Sequence, residues 1–238
     1  MSEQKTGKLY IISTPIGNPD DITFRAINSI KRSDAVICEE YKEGAKFLKS
    51  INIKKEMMQF NEHSSLDDLL DIMSELQSGK RLSLISDCGT PLIADPGNEL
   101  VRSCVANSIP IEVVPGASSI LTALVASNLP TDEFVFAGFL GRTDDSRDNN
   151  LKDLSKETRT VVLLVTPYRI NKLLESASKI IPDRQAYLGM NLTMPFESNH
   201  YGTFKELHKK FKDEKLKAEA VICFEGNYFE KNRRERRS

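Results

Sequence analysis

Two α/β domains, the first with a mainly parallel sheet and the second with a mixed one, are what the sequence predicts, on three observations. Short apolar runs alternate with amphipathic stretches of helix length through the first half of the chain. Glycine and proline gather where those runs end, as loops at strand termini require. Past residue 116 the runs become shorter and alternate in polarity, the pattern of strands with one exposed face. The division follows: residues 1–116, residues 117–230, and a basic tail at 231–238.

In the first domain, LYIIS (9–13) reads as a strand, 23–33 as a helix and AVIC (35–38) as the next strand. Helical patterns at 44–50 and 66–78 lead to the strand LSLIS (82–86), and a further helix over 98–107 leads to IEVVP (111–115). In the second, an apolar helix over 120–127 precedes the alternating EFVFAGF (133–139) and a polar stretch, 141–150, read as a mobile loop. Then come a helix over 151–157, the strand TVVLLV (160–165), a helix over 168–178, a strand over 185–192, a helix over 203–211 and a last strand over 219–224.

Composition narrows the function. Thirty-three basic against 34 acidic residues give −1 overall, yet the last eight residues hold five basic groups and one acid, leaving the rest at −5. Such a body is not basic all round, although a local basic groove is compatible with it. The four cysteines, Cys38, Cys88, Cys104 and Cys223, lack CxxC spacing and read as small buried thiols, not a disulfide framework or zinc site. No apolar run reaches the ~18 residues of a membrane helix, and the polar start lacks a secretory signal, so the cytoplasm is the expected location.

Three loops are able to carry chemistry. TPIGN (14–18) has one glycine and is not GxGxxG, and GxxxxGK[ST] occurs nowhere, so dinucleotide and P-loop fingerprints are absent. SDCGTPLIADPG (86–97) places Asp87, Thr90, two glycines and two prolines after a buried strand, a composition suited to holding a polar small molecule with main-chain groups. PGASS (115–119) offers Ser118 and Ser119, which cap a helix as readily as they touch a ligand.

In order and spacing, LYIISTPIGNPDD, SDCGTPLIADPG and VVPGASSILTALVASNLP resemble the tetrapyrrole-methylase superfamily of S-adenosylmethionine-dependent methyltransferases. The likeness runs from about residue 9 to 226 and is strongest to the branch that methylates a cytidine 2′-hydroxyl in small-subunit ribosomal RNA. It implies a cleft between two domains in which S-adenosylmethionine is held largely by backbone groups, a homodimer, and no metal. The implied cofactor contacts are Asp87, Thr90 and Leu92; Ser118 and Ser119; Val165 and Thr166; Met190, Asn191 and Leu192; and Ala218 and Ala220. Glu39, Glu62 and His63 match acidic and Glu-His positions of the family and are the candidate catalytic groups; each also fits a structural role. Asn18, Lys42 and Arg169 are the implied substrate contacts, while His200 and His208 read as solvated.

Departures gather where substrate should lie. The family's Glu-Asp-Thr-Arg is Glu39-Glu40-Tyr41-Lys42 here, its Glu-Ser-Pro-His-Arg is Val165-Thr166-Pro167-Tyr168-Arg169, and its Arg-Glu-Leu-Thr-Lys is Met190-Asn191-Leu192-Thr193-Met194. The expected activity is methylation of an RNA ribose 2′-hydroxyl. The alternatives are methylation of a tetrapyrrole ring carbon and a catalytically silent S-adenosylmethionine-binding regulator. RNA is the expected partner, reached through local groups and the basic tail.

Overall fold

A computed structural model describes residues 7–227 of the 238; the basic tail lies outside the described residues. The chain divides into two compact units, Met1–Ser118 and Ser119–Ser238.

The first unit is a five-stranded, all-parallel sheet in the order β3-β2-β4-β1-β5, formed by β1 (Lys8–Ile12), β2 (Ala35–Cys38), β3 (Glu56–Gln59), β4 (Arg81–Ile85) and β5 (Ile111–Val114). Its inner strands β1, β2 and β4 are largely apolar because both faces are covered there. Leu9, Ile11, Ile37, Leu82 and Leu84 face α3 (Leu66–Gln77) and α4 (Asn98–Ala106). Tyr10, Ile12, Val36 and Val114 face α1 (Phe24–Arg32) and α2 (Tyr41–Ser50). Sequence sets the helix starts: Thr23 accepts from Ala26 N–H, and Ser65 and Asp68 form a reciprocal capping box.

The second unit has the order β6-β7-β10-β8-β9. β6 (Phe134–Phe139) runs parallel to β7 (Thr160–Val165), whereas β10 (Ala220–Phe224), β8 (Gln185–Met190) and β9 (Ser198–Thr203) pair antiparallel. One face buries Val161, Leu163, Leu188 and Ile222 with α6 (Asp144–Leu154), α7 (Ile170–Ile180) and α8 (Phe204–Phe211). The apolar α5 (Ser119–Ala126) packs against β7 and β10.

Four expectations need correction. The polar stretch 141–150 is not a loop but the start of α6: Thr143 caps it by accepting from Ser146 N–H, and the nearly buried Arg147 binds Ser176 Oγ at 2.9 Å and Asp144 at 2.8 Å. β3 and β9 were not anticipated, since EMMQ and SNHYGT lack apolar alternation and are edge strands held by their neighbours' ladders. Cys38, Cys104 and Cys223 are buried but Cys88 is exposed. His200 is not solvated: it sits in β9, half-buried and edge-on to Phe211 at 4.9 Å, and burial lowers its pKa.

Candidate functional site

In the first unit the chain leaves β2 toward β3 and leaves the neighbouring β4 toward β5, in opposite directions along the sheet. Adjacent parallel strands whose connections diverge open a crevice beyond their carboxyl ends, where open α/β sheets bind ligands. Glu39 follows β2 at this point, and Ser86 and Asp87 follow β4.

Hydrogen bonds knit together the loops that follow β1, β4 and β5. Thr14 N–H donates to Gly89 O at 2.8 Å, its hydroxyl donates to Ser86 O at 3.1 Å, and Gly89 N–H donates back to Thr14 Oγ1 at 3.1 Å. Ser13 Oγ lies 3.0 Å from Thr90 Oγ1, whose hydroxyl donates to Ala117 O at 3.1 Å. The approach needs glycine twice. Gly89 has φ +83°, and a Cβ on Gly116 would come within 2.9 Å of Ser13 Cβ. Leu92 and Ala94 also hold positive φ, 71° and 62°. For side-chain-bearing residues that is strained backbone, of the kind that concentrates at binding sites.

Three carboxylates share the crevice edge. Glu39 and Asp95 line a crevice of about 10 Å³ with Phe60, Ser86 and Pro91, room for one water molecule at most. Burial raises the Glu39 pKa, and the charges of Asp95, Asp87, Glu40 and Glu62 raise it further. Asp95 is raised by burial against an opposing hydrogen bond with Ser86. Asp87 is raised by burial too, although it accepts from Glu40 N–H, a bond that ties the β2 and β4 loops. Among the described residues no group of three His, Cys, Asp or Glu side chains stands in metal-ligating geometry.

The other residues expected in this unit lie around that edge. Asn18 caps the 3-10 turn Pro19–Asp21 by accepting from Asp20 N–H, and Lys42 is exposed on the first turn of α2. Glu62 and His63 occupy an exposed turn before α3, 3.5 Å apart. Of the pair, Glu62 acts on Glu39 through its charge. Ser118 closes the unit and Ser119 opens α5 in the next.

In the second unit the sheet register unites residues far apart in sequence. Ala220 pairs with Val165 on one side and Met190 on the other, so the three form one row at an edge of β7-β10-β8. Asn191 N–H donates to Glu219 O at 2.8 Å, and Asn191 Oδ1 accepts from Glu219 N–H at 3.3 Å, which brings Met190–Leu192 and Ala218–Ala220 together. Val165, Met190, Leu192, Ala218 and Ala220 are buried. Positive φ recurs here, at Tyr168 (70°), Asn191 (51°) and Thr193 (66°). Arg169 stands at the N-cap position of α7 without a side-chain capping bond and lines a pocket of about 20 Å³ with Val165 and Thr166.

The structure adds Ser13, Thr14, Ser86 and Asp95 to the residues singled out in the sequence. A signal existed for all four. Ser13 closes the run LYIIS, Thr14 opens the TPIGN loop, Ser86 closes LSLIS, and Asp95 belongs to the turn tripeptide DPG.

Residues 8–208 match the family model described as tetrapyrrole (corrin/porphyrin) methylases. The chain is 40% identical over 219 residues to ribosomal RNA small subunit methyltransferase I of Rickettsia prowazekii, covering 92% of this chain and 78% of that one. It is 34% identical to the protein of the same name from Thermotoga maritima, over 92% of this chain and 99% of that one. Its fold is similar to that of uroporphyrin-III C-methyl transferase from Thermus thermophilus complexed with S-adenyl homocysteine. There the TM-score is 0.63 at 15% identity, with coverage of 92% and 96%.

Proposed function

We propose that this chain, which belongs to the tetrapyrrole (corrin/porphyrin) methylase family, transfers a methyl group from S-adenosylmethionine to a ribose 2′-hydroxyl of small-subunit ribosomal RNA. The observation that carries the proposal is the hydrogen-bonded junction of the β1, β4 and β5 loops beside Glu39, Asp87 and Asp95, in a chain 40% identical to a protein named for that substrate.

The donor set fits the cofactor. Hydroxyls and main-chain groups of the junction suit its polar parts, and the negative field of three carboxylates suits a sulfonium cation. When bound, S-adenosylmethionine supplies a methyl group that is already activated. The protein's own residues have to align the acceptor oxygen and take its proton. Glu39 is assigned the proton, because its raised pKa makes it a stronger base than an ordinary carboxylate. Asp87, Thr90, Leu92, Ser118 and Ser119 are assigned to the cofactor. So are the main-chain groups of Val165, Thr166, Met190, Asn191, Leu192, Ala218 and Ala220.

Asn18, Lys42 and Arg169 are assigned to the RNA, and the exposed Glu62–His63 pair to the acceptor's approach. A homodimer without metal completes the reading; the exposed Leu121 and Val125 on α5 support a subunit contact.

Incubation with labelled S-adenosylmethionine and, in parallel, small ribosomal subunits and a porphyrinoid tests the proposal. Label in the RNA supports it. Label in the porphyrinoid, or in neither despite cofactor binding, overturns it.

A further inference from the structure

Helix α2 starts at Tyr41, two residues after Glu39, and runs away from the carboxyl edge of the sheet. Gly44 and Leu48 are its buried positions. Lys42, Lys46 and Lys49 stand at i, i+4 and i+7, one per turn or about 5.4 Å apart along the opposite, exposed face. The line continues to Lys54, on the rim of a groove of about 460 Å³ whose floor is Leu48, Ile53 and Met57. Residues 42–55 thus carry five lysines against one glutamate, on a body that is otherwise acidic. Among the described residues only Lys46 of the four track lysines is ion-paired, with Glu43 at 3.4 Å, the lysine side chain being largely exposed. Lys55 is separate: its ammonium donates to Lys31 O and Ser33 O and fastens the groove wall to the end of α1.

We infer that Lys42, Lys46, Lys49 and Lys54 form a track for the phosphodiester backbone of the RNA substrate, leading from the Glu39 edge along the outer face of α2. The inference rests on the proposed RNA methylation and says where that RNA is held. A single-signed row on an acidic body attracts a polyanion locally where net charge repels it. Of the four, Lys49 and Lys54 border the apolar groove, whose floor can take their stems while the ammonium heads project to the backbone. Lysines without planar, bidentate geometry grip phosphates and read no sequence, so the track positions the acceptor and leaves base choice to other groups.

The test compares wild type with Lys46→Gln/Lys49→Gln/Lys54→Gln, Lys46→Arg/Lys49→Arg/Lys54→Arg and a control, Lys205→Gln/Lys209→Gln on α8. RNA affinity is measured against salt, and methyl-transfer kinetics and S-adenosylmethionine affinity are measured alongside. The glutamine triple variant is expected to lower the salt slope by about 2 to 3, one lost phosphate contact per lysine. Its KM for RNA should rise about 10-fold or more, with kcat within about 2-fold and cofactor affinity unchanged. The arginine variant should restore RNA affinity, and the control should behave as wild type. An unchanged slope and KM in the glutamine variant, while wild type methylates RNA, overturns the track alone. A wild type that binds S-adenosylmethionine but neither binds nor methylates RNA overturns the functional reading and the track with it.

Discussion

Glu39 is the proposed general base, and its environment sets the direction in which it should titrate. Burial and the charges of Asp95 and Asp87 raise its pKa, so the methylation rate should climb with pH through a midpoint above the ordinary carboxylate value of 4.5 as Glu39 deprotonates. Glu39→Gln should cut kcat by about 10²- to 10⁴-fold, the usual worth of a general base, with S-adenosylmethionine affinity retained in calorimetry. Asp95→Asn removes a charge that raises Glu39, so the pH–rate midpoint should move down; a midpoint that stays put would show that the rate follows another group. The motif residues of the first unit were legible in the sequence because glycine, proline and short polar side chains mark loops at strand ends. Asp95 carries only the turn signal of DPG in the sequence, since its influence on Glu39 depends on a crevice that only the strand order creates.

At the scale of elements, local pattern and tertiary context part company at α6. Its residues DDSRDNNLKDL are too polar to show an apolar face, yet Arg147 anchors the helix through Ser176 of α7. Arg147→Ala should therefore destabilise the protein by about 2–3 kcal/mol, the scale of lost charge-assisted hydrogen bonds, seen as a lower denaturant midpoint. A change within experimental error would mean that α6 is held by Leu151 packing alone. The central strands β1, β2, β4, β7 and β10 were readable because burial on both faces demands continuous apolar runs. The edge strands β3 and β9 were not, because their stability comes from ladders to β2 and β8 that no local signal records. The row of Val165, Ala220 and Met190 likewise exists only through register.

For the molecule as a whole, charge placement links stability to function. Asp87, Asp95 and Glu39 have raised pKa values, so their ionised forms cost folding stability at neutral pH, and the cost is relieved as pH falls through those values. Glu157 has the opposite sign. Hydrogen bonds from Arg159 and from the Arg159 and Thr158 N–H groups lower it to about 2, so its contribution is present above 4.5 and is lost as pH falls toward 2. Asp95→Asn should raise the melting temperature at pH 7, with the gain shrinking as the pH is lowered toward the ordinary carboxylate value; a constant gain would point to packing instead of charge. Sedimentation of the purified protein should show a dimer, and Val125→Glu on the exposed side of α5 should yield monomer. Insensitivity to that change would place the subunit contact elsewhere.

The acceptor atom of the proposed reaction is the ribose 2′-hydroxyl. After reaction of labelled S-adenosylmethionine with small ribosomal subunits, alkaline hydrolysis cleaves RNA wherever a 2′-hydroxyl is unmodified. Label is expected in an alkali-resistant dinucleotide, dependent on Glu39. Label in mononucleotides, or in a dinucleotide that Glu39→Gln forms as fast as wild type, would contradict it.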